Sequence, residues 1–162
     1  RKLRKSKRET ALKPILKFLL GWVVGAVSTT ALGVLLQTQN VLARQKAIGA
    51  EFSFADRVSM SLYDLMHLGS LYIIFVAAGT LIAYLAGLLI YRLAGFGRPI
   101  VFAVAGAIAM LVMLLLMKEA FFGVHLIAGA RDGLGIGLQM LAGGLGGLLF
   151  ERITRQKIGL QL

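Results

Sequence analysis

The sequence predicts an all-α polytopic membrane protein: four transmembrane helices plus a short amphipathic helix on the outer side. Three observations lead there. Of 162 residues, 58% are hydrophobic and 15% charged, against about 45–50% and about 25% in an average soluble domain. With 18 basic and seven acidic residues the polar surface of a soluble domain this size cannot be covered, and a mean hydropathy of +0.82 leaves apolar side chains that must face lipid. Second, the uncharged apolar residues fall in four runs, 18–36, 68–91, 100–117 and 133–150, each 18 to 24 residues long. At 1.5 Å per residue these reach about 27–36 Å, the thickness of a hydrocarbon core. Third, the net charge of +11 is distributed unevenly between the connecting segments.

That distribution fixes the expected direction of each span. Segments 1–17, 92–98 and 151–162 carry net charges of +7, +2 and +2, whereas 37–67 and 118–132 each sum to zero. Basic segments stay on the cytoplasmic side. The reading is therefore a basic cytoplasmic tail (1–17), a four-helix domain (18–150) and a second basic cytoplasmic tail (151–162). Both termini lie in the cytoplasm of a bacterium, and the spans cross its inner membrane. Aromatic residues fit two interfacial belts: Trp22, Tyr91, Phe96 and Phe150 on one side, Tyr63, Tyr72, Phe121 and Phe122 on the other. The first run exceeds the 7–15 residues of a signal-peptide core and no A-x-A site follows, so it reads as an anchor.

Between the first two spans, Ser53 and Asp56 form an S-x-x-D start signal, and Phe54, Val58, Leu62 and Leu65 follow at helical spacing. This segment is the predicted outer amphipathic helix, lying on the membrane surface or extending the second span. Pro99 suits the first turn of the third helix.

Small residues spaced by four recur in every span. Gly21 and Gly25, then Gly79, Ala83 and Gly87, then Ala103 and Ala107, and finally Gly133 with Gly137 and Gly143 with Gly147 each form a face that another backbone can approach. Association in lipid relies on such close van der Waals contact. These faces serve the protein's own bundle, a partner subunit, or both. None matches a nucleotide-binding glycine pattern.

Ionisable residues are absent from the four runs, where pumps and proton relays place them. Gln139 is expected to hydrogen-bond to a neighbouring helix. Met110, Met113 and Met117 form a stripe that reads as packing, the alternative being soft ligands for Cu(I). Lacking cysteine, the chain has no thiol nucleophile or thiolate metal site; neither a metal nor a cofactor is expected. The outer links collect Asp64, His67, Lys118, Glu119, His125, Arg131 and Asp132. Asp64 and His67 stand one helical turn apart, as a base and its orienter can, but no Ser or Cys nucleophile has matching spacing. Surface pairing, or docking of a partner at Asp64, His67, Glu119 and Arg131, explains them without catalysis. The run Arg1, Lys2, Arg4, Lys5, Lys7 and Arg8 is expected to set topology and touch anionic lipid rather than nucleic acid.

The stretches SLYDLMHLGSLY (Ser61 to Tyr72) and IAGARDGLGIGLQMLAGGLGG (Ile127 to Gly147) resemble small, uncharacterised four-span inner-membrane proteins of Proteobacteria. This resemblance implies the four-span topology and brings no activity with it. The sequence thus predicts a non-enzymatic accessory or structural subunit that packs against other transmembrane proteins through glycine-rich faces. The second reading is a small-molecule transporter or channel component acting as a homo-oligomer.

Overall fold

The computed structural model describes residues 2–95, 97–120 and 128–155, with side chains from Lys13 onward apart from Ala120. Arg1, Phe96, Phe121, Phe122 and His125 lie outside the described residues, as do the side chains of Lys2, Arg4, Lys5, Lys7 and Arg8. The described residues form four α-helices: α1 (Lys2–Ala47), α2 (Phe54–Ala94), α3 (Arg98–Ala120) and α4 (Gly133–Thr154). A 3-10 turn, Ala128–Ala130, precedes α4. All four helices contain stretches long and apolar enough to cross a membrane, and no strand occurs among the described residues.

The helices run up and down, each packed on the next, and α4 closes the bundle against α1. One end, called here the termini end, holds the start of the first span, the α2–α3 turn and the end of α4. The hairpin end holds the α1–α2 connection and the start of α4. Outward-facing positions are apolar along the bundle: Leu20, Val27, Ile74, Ile82, Leu89, Ile108, Leu115 and Leu141 are all exposed. Lipid is the solvent that such a surface fits.

Helix boundaries depart from the apolar runs for identifiable reasons. The helix α1 continues past Leu36 to Ala47, because its polar residues find partners on α2: Thr38 reaches Asp64, and Gln39 reaches Ser61. Among the described residues the amphipathic segment forms no separate helix; it extends the second span, the other placement expected of it. Ser53 does cap a helix, with Asp56 completing the capping box, but the segment is the first part of α2 and continues unbroken to Ala94. Its polar side chains hold it against α1. Gly95 ends α2 in the left-handed conformation, φ 65°, which costs glycine little. Likewise α4 runs past Phe150, so Glu151 and Thr154, read as the start of a solvated tail, are buried side chains of the bundle.

Two apolar clusters fill the centre. At the termini end, Tyr84 stacks on Phe150 at 4.3 Å between ring centroids, and Phe102 lies 4.8 Å from Phe150. Phe18 adds an edge-on contact at 5.3 Å. Toward the hairpin end Met110, Met113 and Met117 pack with Val34, Tyr72 and Val76, so the methionine stripe is core. Phe150 and Tyr72, expected at the interfacial belts, are core residues too; each is drawn inward by a partner on the facing helix.

Candidate functional site

The glycines decide which faces are already occupied. A Cβ at Gly143 would overlap the Gly106 carbonyl, and one at Gly147 would overlap the carbonyl of Phe102, so α3 and α4 meet backbone to backbone. On the other side of α4, a Cβ at Gly146 would run into the Thr29 hydroxyl and lie 2.8 Å from the Gly25 carbonyl. Adjacent glycines at 146 and 147 therefore let α4 wedge between α1 and α3. Gly21 meets Thr154 and Phe150, Gly25 meets Tyr84, and Gly87 faces Phe102. Looser packing surrounds Gly79, where a Cβ would sit 3.9 Å from the Ala109 carbonyl, and Ala83 is half-buried.

Gly106, Gly146 and Gly33 belong to these seams although sequence reasoning did not single them out. Ala142 and Gly146 are themselves a small-x-x-x-small pair, a signal hidden by the neighbouring Gly143 and Gly147. On α3 the alanines at 103 and 107 mark a different face. They line an apolar groove between α3 and α4 with Gly137, Gly144 and Leu141, of about 460 Å³ and open along the bundle's side. Apart from its own helix, nothing among the described residues comes within 4 Å of a Cβ placed at Gly133 or Gly137.

Gln139 connects three helices. Its Nε2 donates to the Gly33 carbonyl at 2.9 Å, and its Oε1 accepts from the Tyr72 hydroxyl at 2.8 Å. With a 1% exposed side chain at this depth, an unmet amide would be costly; the two bonds hold α4 against α1 and α2 in a single register.

Polar chemistry concentrates at the two ends. At the termini end Arg98 Nη2 donates to the Thr154 hydroxyl at 2.9 Å and its carbonyl at 3.2 Å. The guanidinium also lies over the rings of Tyr91 and Phe102. One turn away the buried Glu151 carboxylate accepts from Arg155 Nε at 3.1 Å.

At the hairpin end a cleft of about 470 Å³ opens between α1 and α2, and Gln37, Thr38, Gln45, Ser59, Tyr63 and Asp64 supply its polar lining. The Thr38 hydroxyl lies 2.7 Å from Asp64 Oδ2 and 3.0 Å from the Val34 carbonyl, with the charged acceptor being the stronger. On the neighbouring face Arg57 Nη1 donates to Gln39 Oε1 at 3.1 Å, Gln39 Nε2 donates to Ser61 at 3.0 Å, and Ser61 returns its proton to the Arg57 carbonyl at 2.7 Å.

The predicted outer residues do not converge. Asp64 faces the cleft, whereas His67 is exposed, stacked on Tyr63 at 4.0 Å with Nδ1 2.9 Å from the Tyr63 carbonyl. Glu119 and Arg131 are exposed, and among the described residues neither makes an ion pair. Asp132, one of the outer polar residues but outside the expected docking set, pairs with Arg44 and caps α4 by accepting from Gly135 N at 2.8 Å. Searched against known proteins, the chain matches no family model, no curated protein and no solved structure.

Proposed function

We propose that this chain is a non-enzymatic subunit of the bacterial inner membrane, with both termini cytoplasmic, that docks on another transmembrane protein through the α3–α4 groove. The observation that carries this reading is the groove itself. Gly21, Gly25, Gly87, Gly143 and Gly147 are spent on the protein's own bundle, whereas Gly137 is exposed and Ala103 and Ala107 are half-exposed along the groove. A helix from a second protein can approach such a surface closely enough to gain the dispersion contacts that drive association in lipid. Leu141, Leu145 and Val104 rim it and are exposed, suited to interdigitate with a partner's side chains. Lipid contact at the basic N-terminal run accompanies this role, by attraction to anionic headgroups of about 1 kcal/mol per basic residue near the surface.

Side chains occupy the centre of the bundle: aromatic rings at the termini end and methionines toward the hairpin end. A solute would have to pass between copies of the chain instead of through one. Purification from native membranes in mild detergent separates the readings. A constant, larger transmembrane companion supports the subunit; a lone homo-oligomer would move the account to the transporter.

A further inference from the structure

On the face that neighbours the α1–α2 cleft, the same two helices form a groove of about 350 Å³. Arg57 is the one charged residue lining it, and a ring of hydrogen bonds holds it there: Nη1 donates to Gln39, Gln39 donates to Ser61, and Ser61 donates to the Arg57 carbonyl. That ring uses one of the five N–H groups of the guanidinium. Nε and Nη2 have no partner among the described residues and, unlike the enclosed Nε of Arg98, remain open to the surface. No carboxylate neutralises the charge: Asp56 bonds to Ser53, Asp64 accepts from Thr38, and neither ion pair of the described residues includes Arg57.

The remaining walls are apolar. Leu35, Val58 and Leu62 line the groove and are 39%, 42% and 56% exposed. Leu35 belongs to the first uncharged run and stands one helical turn from Gln39, on the side of the spans; Leu62 lies just over one turn from Arg57 in the same direction. The groove is therefore continuous with the lipid-facing surface at Leu35 and Leu62 and ends in a cation at Arg57. Lipid chains suit the apolar walls, and a guanidinium with open donors suits phosphate. With no acid in the groove, nothing there meets the ammonium of a zwitterionic headgroup. We propose that this groove seats one anionic phospholipid, its phosphate on Arg57 and one acyl chain along Leu62 and Leu35. The site is separate from the α3–α4 groove and lies at the opposite end of the bundle from the basic N-terminal run.

The experiment places the full chain in phosphatidylcholine bilayers that contain a probe lipid, either phosphatidylglycerol or phosphatidylcholine, with a photoreactive group on one acyl chain. Adducts are mapped by peptide mass spectrometry, and the exposed Ile108 and Leu115 on α3 serve as the reference that both probes label equally. The phosphatidylglycerol probe is expected to label Leu35, Val58 or Leu62 about tenfold more than the phosphatidylcholine probe, the scale of one charge-assisted hydrogen bond. R57Q should remove that preference, and R57K, which keeps the charge but not the fork, should retain part of it, with helical content by circular dichroism unchanged. Comparing the two probes on the unaltered chain needs no variant, so it decides the matter if R57Q fails to fold. Equal labelling of the groove by both probes would overturn the site, as would an unchanged preference in a well-folded R57Q. Inorganic phosphate in excess should not displace the probe; displacement would make a soluble phosphate the occupant and overturn the lipid.

Discussion

Gln139 Nε2 on α4 donates to the Gly33 carbonyl on α1 at 2.9 Å, and Gly33 is glycine because a Cβ there would lie 2.7 Å from Gln139 Oε1. A side chain at residue 33 would force the amide to shift from this position. The pair therefore acts as one unit, with Tyr72 as its third member.

A double-mutant cycle tests that unit. G33A should displace the amide and destabilise the bundle, and Q139A should cost about 1–2 kcal/mol, the range of interhelical hydrogen bonds in lipid. Together the two should cost less than their sum, because the shortened side chain makes room for the new methyl. Additive losses, read by reversible unfolding in mixed micelles, would show that the residues are independent.

Glycines facing a seam and glycines facing outward should respond oppositely to alanine. G143A and G147A drive a methyl into backbone atoms of α3, which have no rotamer to adopt, so both should lower the unfolding midpoint clearly. G137A meets nothing within 4 Å; it should leave stability unchanged or raise it by up to about 1 kcal/mol through helix propensity. A destabilising G137A together with a silent G143A would reverse the assignment of faces.

Topology is open to a direct chemical test, since the chain has no native cysteine. Gly49 and Gly95 are poor sites for a probe because both have positive φ, 98° and 65°, so the neighbouring alanines serve better. A50C should react with an impermeant thiol reagent in intact cells, and A94C should react only after the membrane is opened. The reverse pattern would invert the proposed direction of all four spans.

Much of this architecture can be read along the chain, and the exceptions share one cause. The four apolar runs, the Ser53–Asp56 start signal and the close-packing glycines at 143 and 147 are local patterns, visible in a window of one or two turns. What a window cannot show is a partner on another helix. Residues 37–47 look like a polar link until Asp64 and Ser61 are placed beside Thr38 and Gln39. Glu151 marks the end of an apolar run in sequence, yet it is buried at the end of α4. Gly106 stands isolated in its run and becomes conspicuous only when Gly143 meets it. Gln37 belongs to the same polar stretch, and it too is buried within the bundle.

The central claim is that the α3–α4 groove, and not another apolar face, meets a second protein. A photo-crosslinking amino acid placed at Leu141, on the rim of the groove, is compared in living cells with one at Ile82 on the exposed face of α2; both positions are well exposed, at 54% and 70%. The account predicts one discrete, larger adduct from position 141 whose second component is a transmembrane protein, and lipid or no adduct from position 82. Adducts from both positions in similar yield, or from position 82 alone, would contradict it.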